Sequence, residues 1–233
     1  MGFQRKSIRQ QSHENILNIC QQIDMPEDFL KTFRQYLPES NIVLFGFEGE
    51  ERSRLYKAYL EFGGRFKEAF AENLGKPEPF LIHLGFKWDA LDHTQKTMAR
   101  YTCFPAFTVN DMLERISDVF YGQKYKSSFE IAKDIINLTA IRIGPDKFLY
   151  FEAKEQDNPR RSFDINMYRA NLRMEEIYPC LMKIVKYYSI PDERFQNLYK
   201  AVKTQIFGHL TGGIDREGRD FLTVYFGEKG SSR

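Results

Sequence analysis

The chain has 233 residues and a formal net charge of +2, with 42% hydrophobic and 28% charged residues. A chain of this length and composition can form a globular core, burying roughly 70% of the surface that it exposes when unfolded. A charge so close to neutral gives no reason to expect nucleic acid as a partner. The aromatic content is the unusual feature, because 21 Phe and 13 Tyr bring it to 15%.

The cysteines and the apolar runs set further limits on the class of protein. Cys20, Cys103 and Cys180 are odd in number and lie outside any CxxC pattern, so neither a disulfide framework nor a zinc site is expected. This usage favours a reducing, cytoplasmic location. Since no run of about 18 apolar residues is present, no membrane-spanning helix is expected, and we predict no cofactor and no metal.

Helical and strand periodicities alternate along the chain. Two apolar helical stripes, the second ended by Pro38, precede the first pair of strands, and a short helix from Phe66 to Leu74 follows it. Capping boxes beginning at Thr108 and Ser127 start two further helices, and a short extra strand is considered at 140–143. Two more helices precede the last pair. The four pairs of strands are 41–48 with 54–62, 80–89 with 96–104, 147–154 with 161–168, and 206–215 with 219–226.

This repeated α-β-β order predicts an α+β fold. We expect an antiparallel sheet or barrel of eight to nine strands with helices packed on one, outer, face. The order also predicts one domain over 13–226 between flexible tails at 1–12 and 227–233. Two pseudo-repeats, 13–122 and 123–226, are an alternative description of the same domain.

Period-2 alternation gives each strand two unlike faces, and several of the second faces are polar. In one interpretation the sheet is open and these faces meet water. In the other the sheet closes, and the polar side chains line a lumen that holds a small ligand. The presence of His, Tyr and Asn among them favours the second interpretation.

The polar faces supply candidate site residues, although a structural role is the commoner one for each type. The candidates for proton transfer are Glu61, His83, Asp164 and His209, because carboxylates and imidazole accept protons near neutral pH; Asp89 and Glu152 are further carboxylates of this kind. Basic candidates could bind a phosphate or carboxylate group, and aromatic and amide candidates could contact a ligand. The candidates for ligand binding are Lys57, Tyr59, Lys87, Arg100, Lys154, Arg161, Asn166, Tyr168 and Tyr225.

The cluster Asp89, Asp92 and His93 has metal-ligand chemistry, but it lies in a predicted turn, where these residues are common. Gly208 is better explained by a bulge or by relief of crowding in a strand than by a phosphate loop.

The helix and strand-pair order, together with the segments RRSFDINMY and HLTGGIDREGRDFLTVYF, resembles the ABBA aromatic prenyltransferases. The resemblance is one of pattern over most of the chain. It implies a closed antiparallel barrel inside a ring of helices, with a lumen that holds an aromatic acceptor and a prenyl diphosphate. It further implies three roles: screening of the diphosphate by Lys57, Arg100 and Lys154, shielding of an allylic cation by Tyr59 and Tyr168, and acceptance of a proton by Asp164 or Glu61.

Two functions of different classes follow. The first is a small-ligand-binding protein, prenyltransferase-like if it is an enzyme, that acts on a small aromatic or phosphorylated molecule. The alternative is a noncatalytic assembly, regulatory or partner-binding protein that contacts another protein through its aromatic-rich surface. Convergence of acid, base and cation in one pocket would favour the enzyme.

Overall fold

A computed structural model describes residues 2–4, 10–50, 53–65, 78–121, 124–144, 148–156 and 161–227. The predicted helix from Phe66 to Leu74 lies outside these residues, as do parts of both predicted tails.

The chain divides into two compact units. The first contains Met1–Cys103 and Lys154–Asn158, and the second contains Phe104–Ala153 and Pro159–Arg233. The division after Cys103 does not coincide with the boundary of the pseudo-repeats at 122, and the single domain over 13–226 stays a prediction.

The first unit consists of helices followed by antiparallel strands, each paired with the next. Its elements are α1 (Gln10–Gln22), α2 (Glu27–Tyr36), a 3-10 turn (Leu37–Glu39), β1 (Gly2–Gln4), β2 (Ile42–Glu50), β3 (Ser53–Glu61), β4 (Phe80–Asp89) and β5 (Lys96–Phe104).

Helix α2 covers one face of the first unit's strands. It buries Phe29 and Phe33, whose rings meet Phe86 of β4 edge-on at 5.4 and 5.6 Å between centroids. Trp88 is fully buried on the same face, and its indole N–H donates to the Ile23 carbonyl at 3.1 Å. Strand alternation therefore directs the intervening residues of β4 to the opposite face.

The second unit also combines helices with antiparallel strands. Its elements are α3 (Val109–Val119), α4 (Lys126–Ile143), β6 (Leu149–Glu155), β7 (Arg161–Asn166), a 3-10 turn (Tyr168–Ala170), α5 (Tyr178–Tyr187), α6 (Asp192–Val202), β8 (Ile206–Ile214) and β9 (Asp220–Gly227). The last two residues of β6 belong to the first unit. Strands β7, β8 and β9 pair antiparallel in that order.

The core of the second unit lies between its helices and one face of these strands. Phe163 and Leu210 are buried there with Ile135 and Ile136 of α4. The other face of β7 and β8 is left for the polar residues that alternate with Phe163 and Leu210.

The α+β class and the repeated order of helices and strand pairs are confirmed, with nine strands among the described residues. The extra strand at 140–143 is wrong: those residues complete α4, and the helix ends where Gly144 adopts a φ of +81°. The ninth strand is β1, which lies inside the predicted N-terminal tail.

The predictions for two helix starts and one strand end differ in outcome. The capping box at Thr108 is confirmed, because the Asp111 N–H donates to Thr108 Oγ1 at 3.2 Å and the Thr108 N–H donates to Asp111 Oδ2 at 2.8 Å. The box at Ser127 is wrong, since α4 begins at Lys126 without a side-chain cap. The strand predicted to reach residue 168 ends at Asn166 in a 3-10 turn.

Cys20, Cys103 and Cys180 are free thiols and are buried. Burial raises the pKa of Cys20 and of Cys103 to about 12, which keeps both thiols protonated and unreactive near neutral pH. Within the described part of the chain, no helix is both long and apolar enough to cross a bilayer.

Candidate functional site

The second unit gathers polar side chains on the sheet face that its helices leave uncovered. We call this the second-unit polar face. The register pairs Asp164 with Thr211, which pairs with Thr223, and pairs Asn166 with His209, which pairs with Tyr225. Paired residues of adjacent strands share a face, so these groups lie side by side.

Asp164 of β7 is hydrogen-bonded to two residues of β8. His209 Nδ1 lies 2.7 Å from Asp164 Oδ1, and the Thr211 hydroxyl donates to Asp164 Oδ2 at 2.6 Å. An ionised carboxylate can only accept hydrogen bonds, so His209 donates from Nδ1 in this arrangement. Nε2 of a neutral imidazole is then the atom with a lone pair.

A glycine allows an aromatic ring to cover the histidine. The Tyr168 ring meets the His209 ring edge-on at 5.3 Å between centroids. A Cβ at Gly208 would lie 2.5 Å from Cζ of Tyr168, so any larger residue would displace the ring. The register also shifts between Phe207 and His209, which confirms the predicted bulge and the predicted relief of crowding at Gly208.

Tyr225 and Asn166 complete this face. The Tyr225 ring approaches the His209 ring edge-on at 6.3 Å and is about half exposed. The Asn166 side chain accepts a hydrogen bond from the Tyr168 N–H at 3.2 Å, which holds the start of the 3-10 turn beside the histidine. His209 and Asp164 each retain 27% of their side-chain exposure, so a ligand in solution can reach them.

The first unit has a polar face of its own, which we call the first-unit polar face. Lys57 and Lys87 are directly opposite each other on β3 and β4, and both form ion pairs with Glu48 of β2, Lys87 at 3.8 Å. Two like charges across a strand pair repel each other. The hydrogen bond from Lys57 lowers the pKa of Glu48 below its ordinary value, so this carboxylate stays ionised between the lysines.

A histidine, a carboxylate and two tyrosines also meet on the first-unit polar face. His83 Nε2 lies 3.6 Å from Glu61 Oε2, and the Tyr101 ring meets the His83 ring edge-on at 5.8 Å. The Tyr59 ring lies against Gly85, where a Cβ would be 2.8 Å from its Cε1.

Three predicted cations lie on other faces. Arg100 pairs with buried Leu84, and Arg161 pairs with buried Ile214, so both belong to the strand faces opposite the two polar ones. Lys154 lies on the same strand face as Tyr150 and Glu152, which are buried, and is itself exposed. The structure therefore groups Lys57 and Lys87 but not these three.

The other candidate carboxylates have structural partners. Arg115 donates to both oxygens of Glu152, from Nε to Oε1 at 2.7 Å and from Nη2 to Oε2 at 2.8 Å. Asp89 accepts from the N–H groups of Arg54 and Leu91, and Asp92 accepts from Thr94, as residues of a turn do. Within the described ranges, no group of three or more His, Cys, Asp or Glu side chains could hold a metal ion.

Three residues of these faces are not among the predicted site residues: Glu48, Tyr101 and Thr211, although alternation already placed Thr211 on the His209 side of its strand. Strand alternation could have indicated two of them. Thr211 is two residues from His209 and so shares its face, and Glu48 is two residues from Gly46, which pairs with Lys57. Their positions relative to the histidines and lysines depend on register, which alternation alone does not fix.

The comparisons with known proteins agree with the fold. No protein-family model matches the sequence, and no curated protein matches it. The chain is similar in structure to AnaPT from Neosartorya fischeri, with a TM-score of 0.50 and 13% identity over 95% of this chain and 70% of that one. AnaPT has the ABBA fold. A likeness at this identity shows the fold alone, and it agrees with the α+β arrangement of helices and antiparallel strands that the sequence pattern predicted.

Proposed function

We propose that the protein binds a small aromatic molecule on the second-unit polar face and that His209 accepts a proton from it during transfer of a prenyl group. The observation that carries the proposal is the hydrogen-bonded series Thr211, Asp164 and His209, with Tyr168 and Tyr225 on either side of the imidazole. The fold supports the reaction class by analogy, since AnaPT is a fungal aromatic prenyltransferase.

The hydrogen bonds assign different roles to the histidine and the carboxylate. Both oxygens of Asp164 accept hydrogen bonds, one from His209 and one from Thr211. Asp164 is therefore a positioning residue that fixes the His209 tautomer and stabilises the imidazolium. His209 Nε2 is the proposed proton acceptor, a role that the sequence resemblance gave to Asp164 or Glu61.

The aromatic rings suit an electron-rich acceptor and an allylic cation. The rings of Tyr168 and Tyr225 present π-surface beside the histidine, and π-surface attracts a cation. In the proposed reaction the carbon–oxygen bond of a prenyl diphosphate breaks, and diphosphate leaves with the electron pair. A bond forms between the allylic carbon and a ring carbon of the acceptor, and the proton on that ring carbon passes to His209.

We propose separately that the first-unit polar face binds an anionic group through Lys57 and Lys87. Their repulsion across the strand pair is offset by Glu48, a side chain that is more than half exposed and can move away. A phosphate group would supply more negative charge than Glu48 in the same position. Arg100, Lys154 and Arg161 have no part in this proposal because of the strand faces on which they lie.

An activity assay tests the main proposal. The protein is incubated with dimethylallyl diphosphate and a panel of indoles and phenols, and mass spectrometry detects acceptors that have gained one prenyl unit. In His209→Phe, the ring is retained but the base is lost, so the rate should fall roughly a hundredfold or more. Asp164→Asn should lower kcat with less effect on KM, because the tautomer changes while the shape of the site is kept.

His93→Ala is the matched control, since His93 is an exposed histidine in the turn between β4 and β5. It should leave the rate unchanged. If the wild-type protein forms no product and no aromatic compound stabilises it against heat, the proposal is wrong.

The noncatalytic, partner-binding function is the second candidate. It is supported by exposed apolar side chains in the first unit, of which Phe47 and Leu91 are each 59% exposed. A partner that binds wild-type protein and loses affinity in Phe47→Ser, with no effect of His209→Phe, would favour this candidate over the enzyme.

A further inference from the structure

An apolar cavity lies in the second unit, on the helix-covered side of β9. Its volume is about 240 Å³, and it is formed by α5, α6 and the inward residues of β9. Representative lining residues are Leu181, Ile184, Phe195, Val202, Leu222 and Val224. Val224 of β9 alternates with Thr223 and Tyr225, so the cavity and the second-unit polar face lie on opposite sides of the same strand.

The cavity results from unequal packing of two helices. Helix α5 buries Leu181, Ile184 and Val185 against the sheet, whereas the only residue of α6 that is fully buried in the described structure is Val202. Phe195 and Tyr199 of α6 stay partly exposed, and Leu198 is 53% exposed. Helix α6 thus covers β9 without filling the space beneath it.

One wall of the cavity is held in place before any ligand arrives. Tyr178, at the start of α5, packs against Tyr199 at 4.8 Å, and Tyr199 stacks on Phe195 at 5.6 Å with an angle of 18° between the rings. These contacts tie α6 to α5. Phe195 and Tyr199 of this cluster line the cavity, so aromatic packing forms its wall on the α6 side.

The lining defines the chemistry of the ligand. Among the described residues that line the cavity none is charged, and only Tyr199 contributes a hydroxyl group, since alternation directs the Thr223 side chain to the second-unit polar face. Apolar walls that face an unfilled space lose dispersion contacts, and water cannot replace them without hydrogen-bond partners. An engineered apolar cavity of about 150 Å³ takes up benzene, and the present cavity is larger.

We infer that this cavity is a binding site for an uncharged, apolar small molecule larger than benzene. This inference is independent of the function proposed for the second-unit polar face. The ligand would enter beside Leu198, pack against the aliphatic side chains of α5 and β9, and meet the rings of Phe195 and Tyr199.

Methyl NMR with p-xylene and n-butylbenzene as probes tests the inference. Met174 lines the cavity, whereas Met98 of β5 belongs to the other unit. Both probes should shift the Met174 methyl resonance, assigned by its loss in Met174→Leu, and leave that of Met98 in place. Octanoate should shift it less, because its charge has no partner in the lining.

Variants then locate the ligand. Val224→Phe fills the cavity and should weaken binding of n-butylbenzene at least about tenfold. Leu198→Lys changes an exposed residue, so the fold should persist while a charge at the cavity mouth lowers affinity. Leu91→Lys, a change at an exposed leucine of the other unit, is the matched control and should have no effect.

His209→Phe separates the two proposals, since it should abolish transfer while the Met174 shift remains. The inference is overturned if neither hydrocarbon shifts Met174 up to its solubility limit. It is also overturned if Leu91→Lys weakens binding as much as Leu198→Lys does, or if octanoate binds more tightly than n-butylbenzene.

Discussion

The polar faces of the two units use the same kinds of residue but arrange them differently. Each has a histidine, a carboxylate, tyrosines and a glycine against which a tyrosine ring packs. On the second-unit polar face the histidine is hydrogen-bonded to Asp164 at 2.7 Å. On the first-unit polar face the corresponding separation between His83 and Glu61 is 3.6 Å, and lysines surround a different carboxylate.

Register explains the difference. Glu61 is directly opposite His83, whereas Asp164 is opposite Thr211 and reaches His209 along the diagonal. Thr211 donates to the second oxygen of Asp164 and so fixes its carboxylate. Asp164 has a short side chain, reaches His209 along the diagonal and is held by Thr211 as a second donor, so it fixes the imidazole in position. For this reason the proposed chemistry is assigned to the second unit.

The largest expected effect is a loss of stability on removal of a buried carboxylate in the second unit, compared with removal of an exposed carboxylate in the first. Glu152→Ala should lower the free energy of unfolding by about 2.5 kcal/mol, because Arg115 loses two charge-assisted hydrogen bonds to a carboxylate that is 6% exposed. Glu48→Ala in the first unit should cost no more than about 0.5 kcal/mol, since that ion pair is exposed. Urea denaturation of both variants measures the contrast. Equal losses would show that burial does not separate these two carboxylates.

The glycines beneath the tyrosine rings give the next largest effect. Gly208→Ala should destabilise the protein by about 2 kcal/mol and Gly85→Ala by about 1 kcal/mol, because the added methyl meets Tyr168 more closely than it meets Tyr59. Thermal or urea unfolding measures both losses.

A double-mutant cycle assigns the loss at Gly208 to the ring. In the Tyr168→Ala background, Gly208→Ala should cost much less than it does in the wild type. If the cost is unchanged by removal of the ring, backbone conformation at the bulge is the cause instead.

The sequence was sufficient to predict the strand pairs and the polar character of their second faces. Alternation placed Asp164 and His209 on polar faces, because a period of two residues is a local property of each strand. The contact between them depends on the register of β7 against β8. Register is a property of strand pairing and cannot be read from the sequence of one strand alone.

The cations show the same limit. Lys57 and Lys87 were predicted together with Arg100, Lys154 and Arg161, since all five are basic residues in strands. Register assigns the last three to other faces. The predicted strand at 140–143 failed for a different reason: its isoleucines suited a strand locally, but these residues extend α4 beyond Thr139, the last buried residue of that helix.

Substitution of the carboxylate in each histidine–carboxylate pair should lower stability by a smaller amount, and by different amounts in the two units. Asp164→Asn should cost about 1 kcal/mol, because a charge-assisted hydrogen bond to a partly exposed histidine is lost. Glu61→Gln should cost much less, since Glu61 lies beyond hydrogen-bond distance of His83. Nitrogen-15 NMR of the imidazole rings should show a proton on Nδ1 of His209 in the neutral form. A proton on Nε2 in wild-type protein would contradict the role given to Asp164.

The smallest effect is a pH dependence confined to the first-unit polar face. Because the pKa of Glu48 is lowered in the folded protein by the hydrogen bond from Lys57, its stabilising contribution is complete above about pH 5 and is lost as the pH falls through that lowered value. The difference in unfolding free energy between wild type and Glu48→Gln should therefore be about 0.5 kcal/mol or less at pH 7, and should decrease as the pH is lowered through that value. Salt at 1 M should also abolish it, since both side chains are open to screening. A difference that persists at low pH and high salt would mean that Glu48 stabilises the fold by packing, and that the two lysines do not need its charge.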